Sequence, residues 1–245
     1  MIIEGNSVAE CWLAILKVMV DEKTTEISPL LVSINITGER PDYADELEED
    51  INSFLLGIEQ PCIETTAGTI FPISLDGGKK SIFDRYDRNW KYIKKNSKNR
   101  RGTYFRRLTA YGDKYERKVN QLEHIIETFN GIDGVRNPVR RRSALIATTF
   151  DPTLDHTAQP QLGFPCLQQV CFVPSGEKMS MNAIYAMQHL PTRAYGNYLG
   201  LQRLGLFMAE KMELQFVQLN CMISVLGFGT SMKKPMAKMI VEKYS

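Results

Sequence analysis

Gly163-Phe164-Pro165-Cys166-Leu167-Gln168-Gln169-Val170 opens the part of the chain whose reading decides the fold. Leu167 to Val173 and Met179 to Gln188 read as strands. The second alternates Met179, Met181, Ala183, Tyr185 and Met187 against Ser180, Asn182, Ile184, Ala186 and Gln188. A methionine-rich row of this kind reads as core packing rather than as a ligand set. Tyr195 to Met212 is apolar on almost every side through Leu199, Leu201, Leu204, Leu206, Phe207 and Met208, as in a helix enclosed by other elements. Leu214 to Leu226 predicts a further strand, with Gln215, Val217, Leu219, Cys221, Ile223 and Val225 on one face. The glycines and lysines beyond it read as a loose tail.

Upstream, Ser143 to Phe150 reads as a strand, and Val119, Leu122, Ile126 and Phe129 share one face of a helix stopped by Asn130-Gly131. Leu30 to Ile36 reads as a strand ended by Thr37-Gly38-Glu39-Arg40-Pro41. The acidic stretch Asp42 to Asp50 runs into Ile51, Phe54, Leu55 and Leu56, a helix whose acidic start suits its dipole. Near the beginning, Val8, Cys11, Trp12, Ile15 and Met19 recur at helical spacing behind a candidate capping box of Ser7 and Glu10. Helices and strands are intermixed without a βαβ rhythm, and no repeat, GxGxxG or P-loop occurs, so the class expected is α+β. No convincing linker divides the chain, which points to one domain over residues 1–245.

Hydrophobic content of 43% and charged content of 24% are those of a soluble globular protein, and a net charge of +2 is too small to imply a polyanion partner by itself. Glu4 and Lys17 flank and interrupt the first apolar stretch, so neither a secretion signal nor a membrane span is expected. The five cysteines (Cys11, Cys62, Cys166, Cys171 and Cys221) are scattered with no CxxC pair, which points to reduced thiols in a cytoplasmic compartment. With three histidines, His124, His156 and His189, no metal site is expected. Residues 88–107 hold a dense basic cluster interleaved with aromatics. Such a run reads either as an RNA-binding module, with cations on phosphates and rings on bases, or as a solvated loop or small-anion site.

A thiolate can add to C6 of a pyrimidine and turn C5 into a nucleophile for a one-carbon unit, provided nearby cations lower the thiol's pKa. Arg140, Arg141 and Arg142, shortly before the strand that precedes Cys166, are the candidate cations. Taken alone, Cys166 also reads as a buried structural thiol, the arginine triplet as a solvated loop and Asn197 as a helix cap.

The order Arg-Arg, strand, Pro-Cys, two strands, Asn, apolar helix, strand resembles thymidylate synthase and its pyrimidine hydroxymethylase relatives. Arg141, Arg142, Cys166 and Asn197 fall in the family's places. Gly102-Thr103-Tyr104, followed by Asn120-Gln121-Leu122 and Ile125-Ile126, is similar to its Gly-x-x-Tyr segment and Gln-Leu helix. The resemblance runs from about residue 90 to 226. It implies a mixed sheet packed on a buried central helix with flanking helices, Cys166 as nucleophile, Asn197 as base reader, and Arg141 and Arg142 as an anion clamp. Tyr104 and Gln188 fall at substrate-contacting positions. It also implies 5,10-methylenetetrahydrofolate as donor, a pyrimidine nucleotide or nucleoside as substrate, and a homodimer in which the arginine pair serves the partner's site. An amide at Asn197 matches O4 and N3–H of uracil, where family members acting on cytosine tend to carry aspartate.

Several family positions differ. Leu167 stands where the family has histidine, Ala186-Met187-Gln188-His189 where it has Arg-Ser-Cys-Asp, and Ser224-Val225-Leu226 where it has His-x-Tyr. Asp50, four residues before Phe54-Leu55, matches the acidic general base, with Glu49 as the second candidate. Arg193, or Arg100 and Arg101, are candidates for the missing anion contact. These differences imply either C1 transfer to C5 of a uracil-type base in a nonstandard carrier, or a nucleotide-binding protein that keeps the fold.

Overall fold

A computed structural model describes residues 1–77, 81–112, 118–156 and 165–244 of the chain; Gly163 and Phe164 lie outside the described residues. The chain begins with β1 (Ile2–Gly5) and α1 (Val8–Asp21). Ser7 Oγ accepts the Glu10 N–H at 3.0 Å, and the Glu10 carboxylate accepts the Asn6 N–H at 2.7 Å, so the capping box closes one residue early. Next come β2 (Glu26–Ile27), β3 (Leu30–Asn35), α2 (Ala44–Gly57), α3 (Ile63–Gly68), α4 (Ile82–Ile93), α5 (Tyr104–Thr109) and α6 (Gln121–Asn130). They are followed by β4 (Ile146–Thr148), α7 (Pro152–Asp155), β5 (Leu167–Ser175) and β6 (Lys178–His189). One π-helical turn, Leu190–Ala194, leads into α8 (Tyr195–Lys211), and β7 (Gln215–Gly227) and α9 (Lys234–Tyr244) complete the chain.

Among the described residues the strands form one mixed sheet in the order β1-β3-β7-β6-β5-β4, with β2 also on β7; the fold is α+β. β6 and β7 run parallel, which needs a long crossover, and α8 supplies it. α8 is enclosed: Tyr195, Asn197, Tyr198, Leu201, Leu204, Phe207 and Met208 are buried. Two glycines let α3 approach it. A Cβ on Gly196 would stand 2.6 Å from Thr66 Cβ, and one on Gly200 would stand 2.7 Å from the Ala67 carbonyl. No side chain fits there without moving backbone.

The opposite face of the sheet is open. Leu31, Met222 and Ile184 lie side by side across three strands and are 37%, 50% and 36% exposed. Beside them runs a polar row in which Ser33 Oγ donates to Asn220 Oδ1 at 3.0 Å and Asn220 Nδ2 donates to Asn182 Oδ1 at 2.9 Å.

Several expected details differ. The alternation of β6 slips after Tyr185: Ala186 and Met187 both face outward, and Gln188, expected outward, is 2% exposed. In β7 an irregularity near Val217 buries Phe216 in place of Gln215 and Val217, and Leu226 rather than Val225 is buried at the far end. Val119 lies ahead of α6, bridged to Tyr111, and Ile125 joins Leu122 and Phe129 on the buried face. The 143–150 segment is strand only over β4, because a 3₁₀ turn occupies Arg142–Ala144. The basic run is no loop: it holds the end of α4, a 3₁₀ turn at Ser97–Asn99 and the start of α5. The tail is helical too, with α9 burying Ala237, Ile240, Val241 and Tyr244.

Candidate active site

Cys166 sits in the turn that enters β5 and is half-buried. Its carbonyl accepts the Ala186 N–H at 2.9 Å, joining the turn to β6. The next peptide is held from two sides: the Leu167 N–H reaches the Tyr104 hydroxyl at 3.4 Å, and the Thr149 hydroxyl donates to the Leu167 carbonyl. Gln168 Nε2 donates back to the Pro165 carbonyl. Three segments far apart in sequence thus fix the backbone on which the sulfur stands.

Burial pushes the Cys166 thiol up, and the Arg193 guanidinium opposes that shift. Among the described residues the cation whose charge acts on the sulfur is Arg193, on the π turn, instead of Arg141 or Arg142. Those two stand exposed ahead of the edge strand β4, with Arg142 opening the 3₁₀ turn; Arg140 lies 4.6 Å over the Phe129 ring. Arg193 is steadied by a bond from Nη2 to Gln60 Oε1 at 3.3 Å. Asn197 follows Arg193 by four residues, across the junction of the π turn with α8. Asn197 is 5% exposed and lies inside the first turn of α8, where the capping position belongs to Ala194; the helix-cap reading does not hold.

Behind the thiol is a buried polar set. Burial, with Cys166 adding to it, pushes the Tyr104 phenol up to about 12, so it stays protonated near neutral pH. Its oxygen already accepts from Leu167, which leaves its O–H to donate. The phenol of Tyr185 lies within electrostatic reach of Tyr104, Tyr198, Cys221 and Cys166. The hydroxyls of Tyr185 and Tyr198 and both amide atoms of Gln188 are buried with no hydrogen-bond partner among the described residues. Buried polar groups of native proteins are nearly always paired, by protein, ligand or ordered water, so these atoms are candidates for bonds to a ligand or water.

Asp50 lies elsewhere in its contacts. Its Oδ2 accepts from Lys243 Nζ at 2.8 Å and from the Tyr244 hydroxyl at 2.7 Å, which fastens α2 to α9. Those two donors, Lys243 first, hold its carboxyl below the usual range. A carboxylate so stabilised is a weak base, so the expected general-base role has no support from its surroundings.

No protein-family model and no curated protein sequence matches the chain.

The candidate site therefore rests on a half-buried thiol on which the Arg193 charge acts and on the buried phenols of Tyr104 and Tyr185 within electrostatic reach of it. Among the described residues no group of three or more His, Cys, Asp and Glu side chains could hold a metal ion, and no helix is long and apolar enough to cross a membrane. Of the residues named from sequence, Tyr104 lies close to Cys166, while among the described residues no contact joins Arg141, Arg142 or Asp50 to it; sequence reasoning missed Tyr185 and Tyr198 and gave Arg193 only an anion contact. Nothing distinguishes those tyrosines from core aromatics in the sequence. Arg193 carried one signal, as a charge in the connection leading to Asn197.

Proposed function

We propose that the chain is a thymidylate synthase-like enzyme that transfers a one-carbon unit to C5 of a uracil-type base, with a mixed sheet and enclosed α8 as that family's framework. The observation that carries this reading is the half-buried Cys166 thiol, on which the Arg193 charge acts, together with the nearby Tyr185 hydroxyl, which is buried with no hydrogen-bond partner among the described residues. In the reaction the Cys166 thiolate forms a bond to C6, and the ring's electron pair moves through C5 toward O4. C5 bonds the methylene carbon and loses its proton, and the bond from that carbon to the donor's nitrogen breaks. A hydride from the reduced donor or a water adds to the carbon to leave methyl or hydroxymethyl, and expulsion of the thiolate restores the C5–C6 double bond. Asn197 reads O4 and N3–H of the base, Tyr104 offers a hydroxyl donor beside the sulfur, and Arg193 stabilises the thiolate.

Gln188, an amide buried with neither atom paired among the described residues, supplies a donor and an acceptor of the kind that the amide edge of a pyrimidine or pterin requires, so it fits 5,10-methylenetetrahydrofolate. That group would supply the one-carbon unit at the oxidation level of formaldehyde. The test is mass spectrometry of protein incubated with 5-fluorouracil nucleosides and nucleotides and methylenetetrahydrofolate. The expected result is a covalent adduct on Cys166; no adduct and no C5 product across mono-, di- and triphosphates would overturn the reading.

The second reading, a nucleotide-binding protein without turnover, is favoured by the net upward shift of the thiol. Arg193→Gln separates the two. Removing the guanidinium raises the thiol pKa further, so less thiolate exists at any given pH. The alkaline rise of Cys166 alkylation and of turnover should both move to higher pH; alkylation that moves while turnover is absent in both forms supports the second reading.

The homodimer belongs to the leading reading. The apolar row Leu31, Met222 and Ile184 on the open sheet face supports it, and exposed Arg141 and Arg142 stand free to reach a partner. Sedimentation equilibrium should give the mass of two chains. The free cysteines among the described residues accord with a reducing, cytoplasmic setting.

A further inference from the structure

A cavity of about 520 Å³ opens between α4, α5 and the turn from β4 to α7. Five cations line it, Lys94, Arg100, Arg101, Arg106 and Arg107, against the carboxylates of Asp151 and Asp155. Both acids are already engaged. Asp155 takes Arg107 in a two-pronged pair at 2.6 and 2.9 Å. Asp151 accepts the Thr153 N–H at 2.9 Å and its hydroxyl at 2.6 Å, capping α7. The Arg106 guanidinium pairs with Asp87 at 2.6 Å and lies 5.0 Å from the Trp90 ring. Among the described residues that line the cavity, the cations therefore outnumber the acids, and no salt bridge to a described residue engages Lys94, Arg100 or Arg101.

The connection from α4 to α5, which bears Lys94, Arg100 and Arg101, is tied to its surroundings. Arg107 Nε donates to the Arg101 carbonyl at 3.2 Å and its Nη1 to the Thr149 carbonyl at 2.9 Å, tying the basic loop to the far wall. Gly102 turns there with φ +92°, a conformation that favours glycine. The cavity is also linked to the backbone next to Cys166: Thr149 lines it while its hydroxyl donates to the Leu167 carbonyl, and Tyr104, whose hydroxyl accepts the Leu167 N–H, lies in sequence between the lining residues Arg101 and Arg106.

We propose that this cleft binds an oligophosphate, the charged tail of the pyrimidine substrate, with Arg100 and Arg101 as its principal contacts. A di- or triphosphate fits both the charge excess and the enclosed volume. Anion binding stands on the cleft alone; assigning the anion to a pyrimidine rests on the thiol chemistry proposed above. The experiment is isothermal titration calorimetry of the full chain at low and high salt with pyrophosphate, uridine, uridine diphosphate and a single-stranded oligouridylate.

Pyrophosphate and uridine diphosphate are expected to bind, the diphosphate more tightly than uridine, and the Arg100→Gln/Arg101→Gln double variant to weaken both by roughly tenfold or more. Both side chains are exposed, so circular dichroism should show an unchanged fold. Failure of pyrophosphate and the diphosphate to bind at low salt would overturn the proposal, as would oligouridylate binding far more tightly than either, which would make the cleft a nucleic-acid surface. Pyrophosphate binding that uridine does not improve would uphold the anion cleft and count against the pyrimidine reading.

Discussion

Replacing Cys166 by serine is expected to abolish adduct formation with 5-fluorouracil nucleotides and to lower turnover by about a thousandfold or more, with little change in nucleotide binding. A serine hydroxyl is almost wholly protonated at neutral pH and is a far weaker nucleophile than a thiolate. The substitution is nearly isosteric at a half-buried position, and the backbone there is pinned by Tyr104, Thr149 and Ala186, so the fold has no reason to change. Cys62 and Cys171 provide the control. Cys62 is an exposed residue ahead of α3, and Cys171 lies in the middle of β5, where Gln169 Nε2 reaches its sulfur at 3.0 Å. Serine at either position should leave rate and adduct unchanged. Full turnover by the Cys166→Ser protein would end the covalent mechanism.

The largest expected effect on stability comes from Asp155→Ala. Asp155 is 2% exposed and its partner Arg107 10%, and the carboxylate also accepts the Asp151 N–H at 2.9 Å. Truncation leaves a guanidinium buried without its counter-charge and a backbone donor unsatisfied, at a cost of about 3–5 kcal/mol. In a chain of this length that corresponds to a fall in melting temperature of about 6–20 °C. Urea unfolding should show a lower midpoint at constant slope. The pair Asp155→Leu with Arg107→Met, which removes both charges, should recover much of the loss. By contrast, breaking the exposed pair between Lys238 and Glu242, at 68% and 63% exposure, should hardly move the midpoint. If Asp155→Ala behaves like that surface pair, the buried pair is not a main tie between α5 and α7.

Much of the framework was legible as periodicity. The apolar spacing of α1 and α8 and the strand composition of β3, β5 and β7 reflect burial against a core, and burial of one face leaves a repeat in the sequence. α9 left the same mark: Ala237, Ile240, Val241 and Tyr244 follow helical spacing, and the surrounding lysines concealed it. α4 was hidden likewise, because its cations crowd the side away from the core. The slips in β6 and β7 were not legible, since nothing local announces where two paired strands change phase. That change turns Gln188 inward and Met187 outward.

The sequence by itself determined the α+β class, the position of Cys166 at the start of a strand, and the place of Asn197 at the head of an enclosed helix. These follow from residue type and spacing along one segment. Only the tertiary structure decided that Arg193 rather than Arg141 or Arg142 acts on the thiol, that Asp50 is tied to Lys243 and Tyr244, and that Tyr104 and Tyr185 come within electrostatic reach of the sulfur. The reason is physical. A pKa, an ion pair and an unmet hydrogen bond depend on distance and desolvation through space. Those are set by packing α5, β4, β5, β6 and α8 together, which no single stretch of chain encodes.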